Sequence, residues 1–298
     1  MIITFNAAPW LEKCLNSLLK STIQTKIIII DNGSTDDTIE IIKTAFPTVD
    51  LIISEKNIGF GQANNIGIKK ALEAGAAYVF LLNQDAWIEE NTIKILLQAA
   101  TSNPNYGIIS PLHLNGAGNL IDNLLFKNLT KHPSGRQLFS DLFNKCNADK
   151  IYDLTYVNAA CWLLSKDCIS KVGLFDPIFE HYGEDNNYCH RVEFHKYKLG
   201  ILTTTAIYHD REDRVNKKEK WKENPELEIK LSLTNVLGKS FSLNYAKERK
   251  KTYKALFKSM LTANKKQVLF NYEKLKLMRS NLPKLKDSFL KNSQPYKF

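Results

Sequence analysis

Three short clusters of acidic and polar residues in this 298-residue chain have the types and spacing to do chemistry. Asn83-Gln84-Asp85 closes the apolar run at residues 78–82 and puts one carboxylate at the mouth of a predicted buried strand. In open α/β sheets the carboxyl ends of strands face the ligand crevice, so an acid there can hold a metal or a polar substrate. Followed by Ala-Trp-Ile-Glu-Glu, the same Asp85 reads equally well as a helix cap. Ile30-Asp31-Asn32-Gly33-Ser34-Thr35-Asp36 follows a second apolar run. An acceptor-only carboxylate at that strand end can take the imide N–H of a uracil or thymine ring, and the small polar turn lets backbone approach the ligand. A capping turn without a ligand accounts for those residues as well. In Gly183-Glu184-Asp185, adjacent carboxylates precede a helix, whose first amides can keep one ionised as a base for a sugar hydroxyl. The competing reading is a capping pair. His209, in Ile207-Tyr208-His209-Asp210, is by itself more often structural than a ligand.

The elements that must position these residues follow from periodicity. Residues 2–5, 26–30, 50–54 and 78–83 read as strands, and 9–20, 38–46 and 61–74 as the helices between them. Strands separated by single helices mean βαβ units and a largely parallel sheet with ligands at its carboxyl edge. Gly59-Phe60-Gly61-Gln62-Ala63-Asn64 opens the third helix. It lacks the third glycine of a dinucleotide fingerprint and follows the third strand, not the first, which disfavours a dehydrogenase. A turn before a helix N-terminus still suits an anion or a sugar hydroxyl, with Asn57, Asn64 and Asn65 as neutral donors and acceptors. Residues 111–150 are punctuated by Pro, Gly and Asn and read as long loops with one or two short helices. Residues 156–165 read as a further strand. After Arg214 the pattern turns helical, with Tyr245, Arg249, Tyr253, Leu256, Phe257, Met260 and Leu261 recurring among lysines at spacings of three and four.

Composition is that of a globular protein, 44% hydrophobic and 24% charged. Five cysteines with no CxxC pair argue against a disulfide framework or a zinc site and fit a reducing cytosol. No signal peptide is expected, nor a run approaching the ~20 apolar residues of a membrane span. The net charge of +10 is uneven: residues 1–213 hold 19 Lys+Arg against 24 Asp+Glu, and residues 214–298 hold 22 against 7. A mildly acidic domain therefore carries a strongly basic extension that seeks an anionic surface.

Taken in order, Thr4-Phe5-Asn6, Ile30 to Asp36, Asn57-Ile58-Gly59-Phe60-Gly61-Gln62-Ala63-Asn64-Asn65-Ile66-Gly67, Leu82 to Asp85, Gly173-Leu174-Phe175-Asp176 and Gly183-Glu184-Asp185 resemble family 2 glycosyltransferases of the GT-A fold. The rhamnosyltransferase-like bacterial members are the nearest likeness, over roughly residues 1–213. The resemblance implies an α/β, GT-A (Rossmann-like), mostly parallel sheet flanked by helices. A nucleotide-sugar-binding half at 1–100 and an acceptor-binding half at 101–213 would precede a helical basic extension at 214–298. It implies that Asp31 recognises the base with Ser34 nearby, and that Thr4, Asn6, Asn57, Gly59, Asn64, Asn83 and Gln84 line the nucleotide sugar. Asp85 would bind a divalent metal, Mg²⁺ or Mn²⁺, bridging the donor diphosphate, and His209 would complete its coordination. Asp185 would be the catalytic base, with Glu184 positioning the acceptor.

Two departures stand out. Asn83 replaces the first acid of the family's Asp-x-Asp-like motif, which implies weaker metal binding. Relatives commonly carry several residues before the first strand, which implies a trimmed start. The implied reaction is inverting transfer from a nucleoside-diphosphate sugar, with dTDP-rhamnose as the suggested donor, to a saccharide or polyprenyl-linked acceptor in cell-surface polysaccharide synthesis. Residues 215–298 suit an amphipathic helix on anionic lipid, hence a cytoplasmic protein peripheral to the inner face of the membrane. A helix pair packed on the catalytic domain with lysines outward explains the same residues. A GT-A nucleotidyltransferase would show a glycine-rich basic loop near its first strand, and Asn6-Ala7-Ala8-Pro9-Trp10 offers none. A nucleic-acid-binding protein would leave the acidic motifs unexplained, so no nucleic acid is expected.

Overall fold

The run of four isoleucines at residues 27–30 shows how the sequence builds its sheet. Strand β2 (Ile28–Asp31) points Ile28 and Ile30 to one face and Ile29 to the other, and all three are buried. Both faces are covered, so its first three positions are all apolar instead of alternating, and Asp31 ends the strand at the carboxyl edge. Each such isoleucine contributes about 2–3 kcal/mol of burial. In the computed structural model, which describes residues 1–146, 150–211 and 224–296, β2 lies between β1 (Ile2–Thr4) and β3 (Asp50–Ile53), parallel to both. Parallel to β1 on its other side runs β4 (Tyr78–Asn83). The register pairs Thr4 with Asp31 and Ile3 with Asn83, which brings three of the sequence motifs to one sheet edge.

The second half adds antiparallel pairing. β5 (Ala86–Ile88), β6 (Tyr106–Asn115), β7 (Ile151–Leu154), β8 (Cys161–Ser165) and β9 (Lys198–His209) complete, among the described residues, nine strands in the order β3-β2-β1-β4-β8-β6-β9-β5, with β7 beside β9. β8 is antiparallel to β4, with Leu82 opposite Cys161, and β5 is antiparallel to β9, with Ala86 opposite His209. That last pairing sets Asp85 next to the end of β9.

Helices cover both faces. α1 (Ala8–Leu19) and α2 (Thr38–Ala45) bury Leu11, Leu15 and Ile42 with Ile2, Ile29 and Leu82. On the other face, α3 (Phe60–Glu73), α7 (Lys166–Val172) and α8 (Glu184–Phe194) pack around Trp162, which is fully buried and stacks on Phe175 at 6.0 Å. α4 (Thr92–Ser102) packs Leu96 and Ala100 on Ile109, Leu163 and Leu202 of β6, β8 and β9.

The stretch expected as loops with short helices begins as strand. β6 runs on to Asn115 with a register shift at Pro111, where a proline is tolerated in a sheet. The two short helices follow as α5 (Asn123–Leu129) and α6 (Pro133–Phe143). The strand expected over 156–165 is shorter, beginning at Cys161, because residues 156–160 turn away to contact α8. The five cysteines are free thiols. The expected boundary at 213/214 lies outside the described residues. Beyond it come α9 (Pro225–Leu233), α10 (Phe241–Leu261), α11 (Lys265–Ser280) and α12 (Leu282–Asn292), packed around Leu233, Phe241, Met278 and Phe289 and against Ile178 and Phe194 of the sheet domain.

Candidate active site

At the carboxyl end of β1 and β2, a hydrogen-bond net organises the turns. The Thr4 hydroxyl donates to Asp31 Oδ2 at 2.8 Å, and the Ser34 hydroxyl and amide donate to Oδ2 and Oδ1 at 2.6 and 2.9 Å. Asn6, in a left-handed conformation (φ 51°), donates its amide to Ser34 Oγ and accepts from the Thr35 amide. Asn57 joins through Asn32, whose side chain also receives the Ile58 amide. Gln84 pairs with both backbone groups of Phe5, at 2.7 and 3.2 Å, tying the end of β4 to the loop after β1. Gly59 opens α3 with φ +88°, and a Cβ there would stand 2.3 Å from the Glu180 carbonyl oxygen. Asn64 is buried and donates to the Phe60 carbonyl inside its own helix, so it does not join this net. Asn65, expected as a neutral donor and acceptor for the ligand, uses both functions on the backbone of Phe175, with bonds of 2.8 Å each.

One strand further along, Asp85 Oδ1 lies 3.4 Å from His209 Nε2, both residues almost fully buried. An octahedral ion with bonds of about 2.1 Å has neighbouring ligands about 3.0 Å apart, so a carboxylate and an imidazole at this spacing fit as two ligands of Mg²⁺ or Mn²⁺. Among the described residues no set of three His, Cys, Asp or Glu forms a ligand cluster. Behind His209 stands Asp122, the N-cap of α5, with Oδ2 3.7 Å from Nδ1. Arg211 Nε sits 2.9 Å from the same oxygen. Burial acts to raise the Asp122 carboxyl, but Arg211 and the amide of Leu125 hold it below its ordinary range. Nearby, His113 is pushed down to about 3 by burial and by His209, and is neutral.

The Glu184-Asp185 pair opens α8 behind Gly183, which is left-handed (φ 91°). Asp185 Oδ2 accepts from the Tyr156 hydroxyl at 2.7 Å and Oδ1 from the Asn186 amide, with the Ala159 amide also directed at the carboxylate. Glu184 is buried, and its Oε2 has no hydrogen-bond partner. Burial and the neighbouring Asp185 push the Glu184 carboxyl up to about 8. Burial also raises Asp185, opposed by Tyr156 and the two amides. Glu184 is thus the protonated member near neutral pH, and Asp185, which has the donors, carries the charge. The residue after Ala159 accepts from the Asn83 amide through its carbonyl at 2.9 Å, linking the pair to the Asn83-Gln84-Asp85 edge.

Three participants carried no signal in the sequence. Tyr156 lay inside an expected strand, and Asp122 and Arg211 are an ordinary turn acid and surface base until the fold joins them across 89 residues.

The sequence model of the family described as "Glycosyl transferase family 2" matches residues 1–173, more than half of the chain. The chain is 26% identical over 213 residues to the N-acetylglucosaminyl-diphospho-decaprenol L-rhamnosyltransferase of Mycobacterium tuberculosis, covering 61% of this chain and 66% of that protein. It thus spans just under two thirds of that relative's length. Its fold is similar to S. aureus TarS, solved in complex with UDP-GlcNAc, with a TM-score of 0.59 at 15% identity over 98% of this chain and 88% of the other. GalNAc-T7, solved with UDP, GalNAc and Mn²⁺, gives a TM-score of 0.53 at 17% identity over 70% and 42%.

Proposed function

The chain belongs to glycosyl transferase family 2, and from that premise we propose that it transfers a sugar, with inversion, from a nucleoside-diphosphate donor to a saccharide hydroxyl carried on a polyprenyl diphosphate. The observation that carries this reading is the linkage of two acidic sites: Asp185 is held by Tyr156 and the Ala159 amide, and the next residue binds the strand end that leads to Asp85.

Asp31, fixed by Thr4 and Ser34, accepts the imide N–H of the base, while Asn6, Asn57 and the Gly59 turn line the nucleotide. Asn83 and Gln84 line the sugar-diphosphate side. Asp185 takes the proton of the acceptor hydroxyl as that oxygen forms its bond to the anomeric carbon, and the bond to the diphosphate breaks on the opposite face. Glu184, protonated, donates a hydrogen bond to position the acceptor. Asp85 and His209 would hold Mg²⁺ or Mn²⁺, whose charge would stabilise the leaving diphosphate. Arg211 is a second cation for the same diphosphate, aimed by Asp122.

A rhamnosyl donor and a lipid-linked acceptor are supported by the named activity of the M. tuberculosis relative, and a nucleotide-sugar donor by the UDP-GlcNAc bound in TarS, while the dTDP carrier follows from the family resemblance alone. The family likeness favours sugar transfer over nucleotidyl transfer. No helix among the described residues is long and apolar enough to cross a membrane. The basic extension and the lipid-linked acceptor of the M. tuberculosis relative support a protein at the cytoplasmic surface of the membrane that meets its acceptor through that extension.

The test is a screen of UDP- and dTDP-sugars for nucleotide release with Mg²⁺ or Mn²⁺ present, followed by Asp185→Asn. That variant keeps donor binding and loses transfer by about 10²–10⁴-fold, the range for a general base. A transfer rate near wild type would remove Asp185 as the base.

A further inference from the structure

The α10–α11 hairpin is built inside out. Its two helices face each other through Glu248, Thr252 and Ser259 on one side and Asn271, Lys274 and Met278 on the other, all buried. Lys274 Nζ lies 2.7 Å from Glu248 Oε1, and the Thr252 and Ser259 hydroxyls return to carbonyls of their own helix. The large apolar side chains point the other way. Tyr253, Phe257, Met260 and Leu261 on α10, and Leu269 and Tyr272 on α11, are each 45 to 72% exposed.

These residues form one surface. At 100° per residue, 253, 257, 260 and 261 fall within an arc of about 100° on α10. Tyr253 reaches α11 through its hydroxyl, 3.4 Å from Arg279. Arg279 lies seven residues after Tyr272 and therefore on the same face of α11, so the two apolar faces adjoin. Soluble proteins rarely expose such a contiguous patch without a partner.

Charge identifies the partner. From Arg249 to Arg279 the hairpin holds ten lysines and arginines and one acid, Glu273. Lys274 turns inward onto Glu248 and Lys251 pairs with Glu228 and Glu248, but the others are exposed, so a second copy seated on this face would set basic residues against basic residues, whereas an anionic bilayer complements them at about 1 kcal/mol per basic residue near the surface. We propose that the outer face of the α10–α11 hairpin docks on an anionic phospholipid surface. Phe257, Met260, Leu261 and Leu269 enter the boundary between headgroups and acyl chains, and Lys250, Lys254 and Lys258 meet the headgroups. This deepens the membrane-surface reading of the extension above, and its test requires no sugar transfer.

The full chain is floated with vesicles of phosphatidylglycerol and phosphatidylethanolamine, and with vesicles of phosphatidylcholine alone. The expected result is binding to the first and little to the second. Phe257→Ser/Leu261→Ser/Leu269→Ser, and separately Lys250→Glu/Lys254→Glu/Lys258→Glu, should each cut partitioning about tenfold or more. All six positions are exposed, so both variants should keep the wild-type unfolding midpoint. Equal binding by either variant, no binding by the wild type, or a wild-type dimer in sedimentation that the serine variant abolishes would each overturn the proposal. Failure of the donor screen with intact vesicle binding would count against the enzymatic reading alone.

Discussion

The Glu184-Asp185 pair holds one proton between two carboxyls near neutral pH, and this has two consequences that can be measured. Glu184 ionises at about 4.5 in an unfolded chain and at about 8 in the folded one. Below 4.5 the group is protonated in both states and has no effect. Between 4.5 and about 8 the unfolded chain releases the proton and the folded chain keeps it, so stability falls as pH rises through that window and levels off above it. Glu184→Gln should therefore unfold at a higher urea concentration than wild type at pH 8.5 and at a similar one at pH 4.5, with a difference on the order of a few kcal/mol. An identical pH slope in the two proteins would remove Glu184 as the proton carrier. Tyr156 acts in the opposite sense on Asp185, since its hydroxyl stabilises the charged form. Tyr156→Phe should raise the Asp185 pKa further and move the acid limb of kcat/KM to higher pH by about one unit, with donor affinity unchanged. The acids were legible in the sequence only through their order among the other motifs, because an Asp and a Glu before a helix read equally as a capping pair. Tyr156 was not, because an aromatic in an apolar run looks like core.

The strand ends depend on elements that meet them from the side. α3 begins at Gly59 with φ 88° and ψ 154°, a region open only to glycine, and the Glu180 carbonyl fills the space where a Cβ would go. Gly59→Ala should destabilise the fold by about 2 kcal/mol or more, visible in the urea midpoint, and should loosen the contact between α3 and the loop before α8. α5 begins at Asp122, which caps that helix through the Leu124 and Leu125 amides while it stands behind His209 and Arg211. The Asp122 carboxylate, 3.7 Å from Nδ1, acts on the proposed metal ligand His209 by charge and not by a hydrogen bond, and removing an outer partner of such a histidine costs up to about 10–100-fold in metal affinity. Asp122→Asn should weaken Mn²⁺ binding in that range, read by titration of the ion into the protein with nucleoside diphosphate present. Unchanged affinity would disconnect Asp122 from His209. The first four strands could be placed from sequence because short apolar runs alternating with helical segments read as strands of a parallel sheet. Residues 156–160 could not, since the hydrogen bond that pulls them from the sheet goes to a residue 29 positions away.

At the scale of the molecule, the C-terminal helices have an inner and an outer surface with separate roles. The apolar spacing of Tyr253, Phe257, Met260 and Leu261 gave the amphipathic helix from sequence but hid what packs inside, because a buried Lys274–Glu248 pair looks like two surface charges until the helices are brought together. The inner surface braces α8: Leu227 Cδ1 would lie 2.7 Å from a Cβ on Gly183, Thr234 Oγ1 accepts from Asn187, and Ser288 Oγ donates to Asp176 at 2.6 Å. Gly183 and Asn187 flank the Glu184-Asp185 pair on that helix. Leu233 is fully buried in this interface, and Leu233→Ala should cost about 3 kcal/mol in unfolding free energy. Loosening the brace should lower kcat at a temperature where the protein remains folded, because a displacement of the base of about 1 Å can cost 10²-fold in rate. The nucleotide binding proposed for Asp31, on another part of the sheet, should be unaffected. Phe257→Ser on the outer surface should give the converse pattern, with an unchanged midpoint and kcat on a soluble acceptor but weaker vesicle binding. If Leu233→Ala lost stability with kcat intact, the helices would be ballast for the sheet domain and not a support for its base.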